Sequence, residues 1–214
     1  MPSSKEAVRE AGGLDAEEEI TLGLLNAVHE DRRLTQRSAS HRLGIALGLT
    51  NAYLKRCVKK GLIKIQQIPP NRYAYYLTPK GFAEKTRLTG EFFSQSFRFF
   101  RIARTQYGEL LREAERSGWR RLALCGVGEL SEVATLCATE AGVDLVGVID
   151  MPQSGRSRHA GLAVLPDLAA AGGIDGVVLT DFQDTQATYD ALCRILPPAR
   201  VLVPAMLAVQ ERRA

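Results

Sequence analysis

The first ninety residues alternate between two hydrophobic periods. From Asp15 to His29, apolar residues recur at Ile20, Leu24, Leu25 and Val28, the spacing of one helical face. Asp15 and Glu17, Glu18 and Glu19 suit the positive end of that helix. Thr35 is a good N-cap for a second, shorter helix ending at Leu43, and Gly44 permits a tight turn. A third helix runs from about Leu47 to Lys60, with Gly61 as its terminating glycine. The period then switches to two. Ile63, Ile65 and Ile68 alternate with polar residues, as do Tyr73, Tyr75 and Leu77, around the stiff polar stretch Pro69 to Arg72. This is the pattern of a β-hairpin. Two short helices joined by a glycine turn, followed by a hairpin, make a helix-turn-helix with a wing.

Further on the pattern is different. Glu91 to Ser117 reads as a long helix with Phe92, Phe93, Phe97, Phe99, Phe100, Ile102 and Ala103 in its front half. So many rings exceed what one face of a lone helix buries, which leaves packing against the chain's own two domains or, as the favoured expectation, a dimer helix. Beyond it, short apolar strands alternate with helices. Leu122–Cys125 is a buried strand, Gly126-Val127-Gly128 a turn, Glu129–Ala141 a helix, and Asp144–Ile149 a second strand ending in Asp150. Gly161–Leu165 reads as a short edge strand, 167–171 as a small helix and 175–180 as a strand. A helix is expected over 183–196 and a last strand over 200–203. The expected order is 3-2-1-4-5, a small doubly wound parallel sheet. The fold class is therefore an α+β winged helix-turn-helix domain (15–90), a connecting or dimerisation helix (91–118), and a small α/β Rossmann-like doubly wound parallel sheet domain (119–214).

Charge sharpens this division. Between Arg32 and Arg87 stand thirteen Lys and Arg and one acid, Glu84. Residues 1–100 carry 16 basic and 10 acidic residues, whereas 101–214 carry 12 and 14. A basic front half suggests a polyanionic partner for that half alone. On the third helix the inner face is small and apolar and the rest is cationic. Asn51 and Lys55 would reach base edges, Asn being suited to adenine. Thr35, Arg37, Arg56, Lys59 and, at the wing tip, Arg72 would meet the backbone.

The stretches Thr35-Gln36-Arg37, Leu43-Gly44-Ile45, Leu47-Gly48, Asn51, Leu54-Lys55, Lys60-Gly61-Leu62-Ile63 and Leu77-Thr78-Pro79-Lys80-Gly81 resemble the winged helix of MarR-type regulators. They are most similar to the small regulators associated with exopolysaccharide gene clusters. The resemblance spans roughly residues 20–90 and implies a transcriptional regulator that binds double-stranded DNA, for which the phenylalanine-rich helix and the two-fold geometry of operators add the expectation of a homodimer. Ala46 departs from the pattern, standing where these proteins usually have a serine cap.

In the second half, strand, GxG, helix, strand and terminal acid form the dinucleotide-binding pattern. Gly126, Val127, Gly128, Glu129, Leu130 and Ser131 would hold phosphate on helix N–H groups. Asp150 would bond ribose hydroxyls, with Thr180 and Asp181 lining the cleft. Ser131 occupies the third glycine's place. Arg156, Arg158 and His159 lie in what reads as a mobile loop, Gln153–Ala160, and could meet an anion. This half resembles both the NAD(H)-binding domain of Rex-type redox repressors and the nucleotide-sugar-binding domain of sugar acyltransferases. The resemblance implies a nucleotide-type effector, either a nucleotide sugar or NAD(H). Two alternatives stand beside it. One is a nucleotide-dependent enzyme or accessory protein of polysaccharide metabolism, disfavoured because no histidine stands where a general base is expected. The other is a DNA-bound scaffold whose second domain is purely structural.

Cys57, Cys125, Cys137 and Cys193 sit in apolar contexts without metal-binding spacing, which predicts buried reduced thiols and no metal. No apolar run approaches a membrane span and the first residues lack a secretion signal, so the expectation is a cytoplasmic protein.

Overall fold

The computed structural model describes residues 14–31, 34–68, 72–151 and 155–210, with the side chains of Ile68 and Arg72 excepted. They form two compact units that divide between Phe97 and Arg98.

The first unit begins with α1 (Ala16–Glu30), capped by Asp15, whose carboxylate accepts the Glu18 N–H at 2.7 Å. Next is α2 (Gln36–Leu43). Thr35 caps it reciprocally with Ser38: each side-chain oxygen accepts the other residue's N–H at 3.0 Å. The third helix, α3 (Leu47–Lys59), starts at Ala46, which offers no side-chain cap. Strands β1 (Ile63–Ile68) and β2 (Arg72–Leu77) pair antiparallel, Ile63 opposite Leu77 and Ile65 opposite Tyr75. Leu24, Leu25 and Val28 of α1, Leu34, Ala39 of α2, Leu54 and Cys57 of α3, and Ile63 and Tyr75 of the hairpin share one core.

The fourth helix, α4 (Pro79–Arg116), starts twelve residues earlier than the phenylalanine pattern indicates. The reason lies in Leu77-Thr78-Pro79-Lys80-Gly81. The Thr78 hydroxyl donates to the Gly61 carbonyl at 2.6 Å and accepts the Gly81 N–H at 3.0 Å, so it caps the new helix and ties it to the turn that follows α3. Pro79 suits the first helical position. At Gly81 any side chain would collide with the backbone, since a Cβ would lie 2.0 Å from the Leu62 carbonyl oxygen.

The second unit holds a six-stranded sheet: β3 (Arg121–Cys125), β4 (Asp144–Ile149), β5 (Arg158–His159), β6 (Leu162–Leu165), β7 (Gly176–Leu179) and β8 (Val201–Leu202). The order is β5-β6-β4-β3-β7-β8. The β6-β4-β3-β7-β8 part is parallel, and in the chain order of these five strands it reads 3-2-1-4-5. The sheet is mixed rather than purely parallel because β5 folds back antiparallel on β6, so β6 is not the edge strand the sequence suggests. Helix α5 (Glu129–Ala141) follows β3 and α6 (Thr185–Cys193) follows β7. The helix read at 167–171 is one 3₁₀ turn, Ala169–Ala171, fastened by the Asp167 carboxylate. Val177, Val178, Leu179, Leu122, Ala123 and Leu124 are fully buried, as are Ala103, Tyr107 and Leu111 from the later turns of α4. Tyr107 donates its buried hydroxyl to the Leu179 carbonyl at 2.9 Å.

Candidate nucleic-acid interface and glycine bend

Helix α3 buries Thr50, Leu54 and Cys57 and exposes Leu47, Gly48, Leu49, Ala52, Lys55, Arg56 and Lys59. Its outer face is thus apolar for the first turn and a half and basic thereafter. The helix itself carries no acid. Burial pushes the Cys57 thiol up to about 11, so it is a neutral core group.

Tertiary structure redistributes the charge that the sequence shows as a block. Arg56 forms a close ion pair with Glu17 of α1 and lies over the Tyr53 ring, 5.3 Å from its centroid. The hydrogen bond that the guanidinium donates to the Glu17 carboxylate raises its pKa further. Lys60 stands 3.9 Å from the same carboxylate. Arg42 pairs with Glu30 at 2.6 Å. Arg87 gathers Glu84, Glu91 and Glu18 at 2.7–3.1 Å, and its hydrogen bonds hold the Glu84 carboxyl below the usual range. Among the described residues, Arg37, Lys55, Lys59 and Lys64 form no salt bridge and are exposed. Of the residues expected to meet DNA, Lys55 and Lys59 therefore carry the least compensated charge on α3, one helical turn apart. Arg37 lies exposed on α2, and Thr35 is exposed but is used as its cap. Asn51 is half-buried. Its Oδ1 is enclosed without a hydrogen-bond partner, so in this rotamer it cannot accept from an adenine amino group. Arg72 pairs with Ile68 at the top of the hairpin, while its side chain and the tip 69–71 lie outside the described residues.

The second group of sequence-marked residues converges on one end of the sheet. β3 lies between β4 and β7, so the order reverses there, the place where open α/β sheets leave a crevice. Gly126 follows β3 with φ +113°, and a Cβ on it would sit 2.4 Å from the Asp181 nitrogen. No other residue fits that bend. Its N–H donates to the Ile149 carbonyl at 3.0 Å. The buried Thr180 hydroxyl reaches the Cys125 and Gly126 carbonyls at 3.0 and 2.7 Å. Asp150 is 5 % exposed at the end of β4, its N–H on the Leu165 carbonyl. The Asp181 carboxylate accepts the Gln183 N–H at 2.9 Å and the Thr188 hydroxyl, which organises the start of α6. Leu130 and Ser131 are buried, so only their backbone can face a ligand. Ser131 explains the missing third glycine: its Oγ accepts the Gly128 N–H at 3.1 Å and donates to the Gly128 carbonyl at 2.6 Å. That leaves Val127, Glu129 and Leu130 as the amides at the helix start that enter no turn or cap hydrogen bond among the described residues. The β5–β6 hairpin brings His159 over the same point, its Nε2 at 3.2 Å from the Gly128 carbonyl and 4.0 Å from Glu132. The side chain of His159 is 8 % exposed. Arg158 instead donates to the Gly161 carbonyl at 2.6 Å, and Arg156 is exposed. Gln153 falls outside the described residues. The Cys125 thiol beside the bend is pushed up to about 12 by burial, with Asp181 and Asp150 adding to the shift.

Among the described residues, no group of three or more His, Cys, Asp or Glu could hold a metal, and no helix is long and apolar enough to cross a membrane.

Comparison with known proteins agrees with the first unit. Residues 17–64 match the winged helix-turn-helix DNA-binding family. A search among curated proteins finds no match. Among solved structures, MepR, a transcription regulator of the Staphylococcus aureus multidrug efflux pump MepA, is 22 % identical over 45 % of this chain and 72 % of its own, with a TM-score of 0.36. The S. aureus MepR–DNA complex is 24 % identical over 40 % of this chain and 62 % of its own, with a TM-score of 0.35. Human N-acetylserotonin methyltransferase in complex with SAM is 15 % identical over 87 % and 75 %, with a TM-score of 0.34. The N-terminal unit is a winged helix-turn-helix, and the C-terminal unit is an α/β domain on a largely parallel sheet.

Proposed function

We propose that this protein is a DNA-binding transcriptional regulator of the MarR-like winged-helix type, acting in the cytoplasm as a homodimer, whose Rossmann-like domain senses a nucleotide-type effector. One observation carries the DNA reading. The outward face of α3 presents Lys55 and Lys59 without ion-pair partners among the described residues, on a helix with no acid, in a segment matching a DNA-binding family. Such a face neutralises phosphates, and the helix it sits on is the one that enters the major groove.

The effector reading rests on the glycine bend at the strand-order reversal, with Asp150 at the end of the neighbouring strand. A diphosphate seated on the Val127, Glu129 and Leu130 amides, with a ribose toward Asp150, suits that arrangement, and either a nucleotide sugar or NAD(H) supplies both groups. Its binding would bias the dimer between states of different operator affinity. No catalytic residue is assigned. The carboxylate of Asp181 is bound by its own loop and by Thr188, which argues against a free general base there.

Electrophoretic retardation of duplex DNA from upstream of the protein's own gene, in dilute buffer, tests the first part. The expected result is a shifted band that weakens steeply with salt; no shift at any protein concentration refutes it. Thermal unfolding with nucleotide sugars and NAD(H) tests the second part, since ligand at about 100 times its Kd adds roughly 2.7 kcal/mol. No stabilisation by any of them favours the structural-scaffold alternative.

A further inference from the structure

We propose that Leu47 and Leu49, at the start of α3, read thymine methyl groups in the major groove, so that the protein's sequence preference is carried by apolar contact more than by hydrogen bonding. The proposal rests on the DNA-binding reading above and adds the chemistry by which bases are told apart.

The N-terminal part of a recognition helix is the part that meets base edges. In this helix that part consists of Leu47, Gly48, Leu49, Thr50, Asn51 and Ala52. Leu47 and Leu49 are 42 % and 43 % exposed, and Gly48 and Ala52 are exposed between and after them. Thr50 is fully buried and its hydroxyl donates to the Ala46 carbonyl at 3.2 Å. The Oδ1 of Asn51 is enclosed, which leaves at most one end of that amide for a base. The tip of the helix thus offers almost no side-chain donor or acceptor. A single exposed leucine is ordinary, but here two stand about 200° apart round the helix, one on each flank of the small strip of Gly48 and Ala52, and the strip with its flanks makes an apolar surface with a definite place.

Charge complementarity names its occupant. Lys55 and Lys59, unpaired among the described residues, continue the exposed strip of Gly48 and Ala52 one to two turns on, so the apolar tip is delivered to a polyanion. In the major groove of B-form DNA, the one apolar group on a base edge is the C5-methyl of thymine. Gly48 and Ala52 keep the backbone low enough for close approach, and the leucine side chains then cover the methyl groups.

The test uses the full chain and a randomised duplex pool, from which the tightest-bound sequence is selected. That duplex is resynthesised with uracil in place of thymine, which pairs identically but lacks the methyl. The expected result is a thymine-containing selected site and a loss of roughly fourfold in affinity for each methyl contacted, the effect of burying one such group. The Leu47→Ala/Leu49→Ala variant, altered at exposed positions, should bind the thymine and uracil duplexes with equal affinity, losing the preference of the parent. Equal binding of the two duplexes by the parent, or an unchanged preference in the variant, overturns the proposal while DNA binding stands. A variant that changes its sedimentation but not its thymine preference also overturns it, assigning the leucines to a second copy of the chain. Failure of the parent to retain any duplex removes the DNA-binding reading itself, and the proposal with it.

Discussion

Replacing Gly126 and Gly128 by alanine, one at a time, separates what the bend needs to fold from what it needs to bind. At Gly126 the backbone sits at φ +113°, where an L side chain is strained by about 1–3 kcal/mol. The new Cβ would also lie 2.4, 2.5 and 2.8 Å from the nitrogen, Cα and Cβ of Asp181, and forcing that contact apart costs a further ~1–3 kcal/mol. The expected loss is therefore about 2–6 kcal/mol, a fall in Tm on the order of 10 °C or more for a unit of this size. Gly128 is extended at φ 166°, and a Cβ placed on it would meet no atom within 4 Å. Its substitution should change stability by no more than about 0.5 kcal/mol, because a poorer N-cap is offset by a stiffer unfolded chain. Trp119, the single tryptophan, packs near Gly176 in the same unit, so urea unfolding followed by its fluorescence reports on that unit. If the two variants unfold within about 0.5 kcal/mol of each other, the geometry of the bend is wrong. Gly128→Ala has a second use: it should keep the fold yet abolish any stabilisation by the nucleotide that protects the parent.

Glu17→Gln frees Arg56 for phosphate. If Arg56 then adds one contact, the slope of log affinity against log salt steepens by about 0.9, and raising salt from about 50 to about 200 mM costs the variant roughly 3.5-fold more than the parent; identical slopes in a filter-binding titration would show that Arg56 stays off the DNA. Thr180→Val removes the hydroxyl shared by the Cys125 and Gly126 carbonyls and should lower stability by about 1–3 kcal/mol in denaturant titration. Ala46→Ser should raise stability by about 0.5–2 kcal/mol, since the residue already holds the N-cap position with a non-helical backbone and no side-chain cap. The thiols of Cys57 and Cys125, at about 11 and about 12, carry negligible thiolate at pH 8, so native alkylation should mark the half-buried Cys193 first. Both of these values are raised by folding. Their contribution therefore holds at neutral pH, and stability should fall as pH rises above about 9, the range in which the unfolded thiols ionise and the folded ones do not.

Much of the fold was legible because its elements carry strong local signals. α1 follows apolar spacing, α2 is marked by its Thr35 cap and Gly44, Asp15 turns out to cap the helix whose dipole it suits, and the five parallel strands are apolar runs between helices. What was not legible depends on partners distant in sequence. β5 is two residues long and exists only through its pairing with β6. The early start of α4 depends on Thr78 bridging Gly61 and Gly81, where two glycines in the stretch otherwise suggest a break. The pairing of Arg56 with Glu17 crosses from α3 to α1, so a count of local charge overstates how much of the basic face is free. For Asn51 the residue type suggests a base reader, but packing encloses half of its amide. At the bend, by contrast, local spacing sufficed to put Gly126 and Asp150 at the ends of the adjacent strands β3 and β4, and Ser131 stands in the third glycine's position and bonds Gly128 on both sides.

The central claim is that the uncompensated lysines of α3 hold duplex DNA. It is tested most directly by the salt dependence of duplex binding for the parent and for Lys55→Gln/Lys59→Gln. Loss of two phosphate contacts should reduce the slope of log affinity against log salt by about 1.8 while thermal stability is unchanged. A parent that binds no duplex at low salt, or a double variant with the parent's slope, contradicts it.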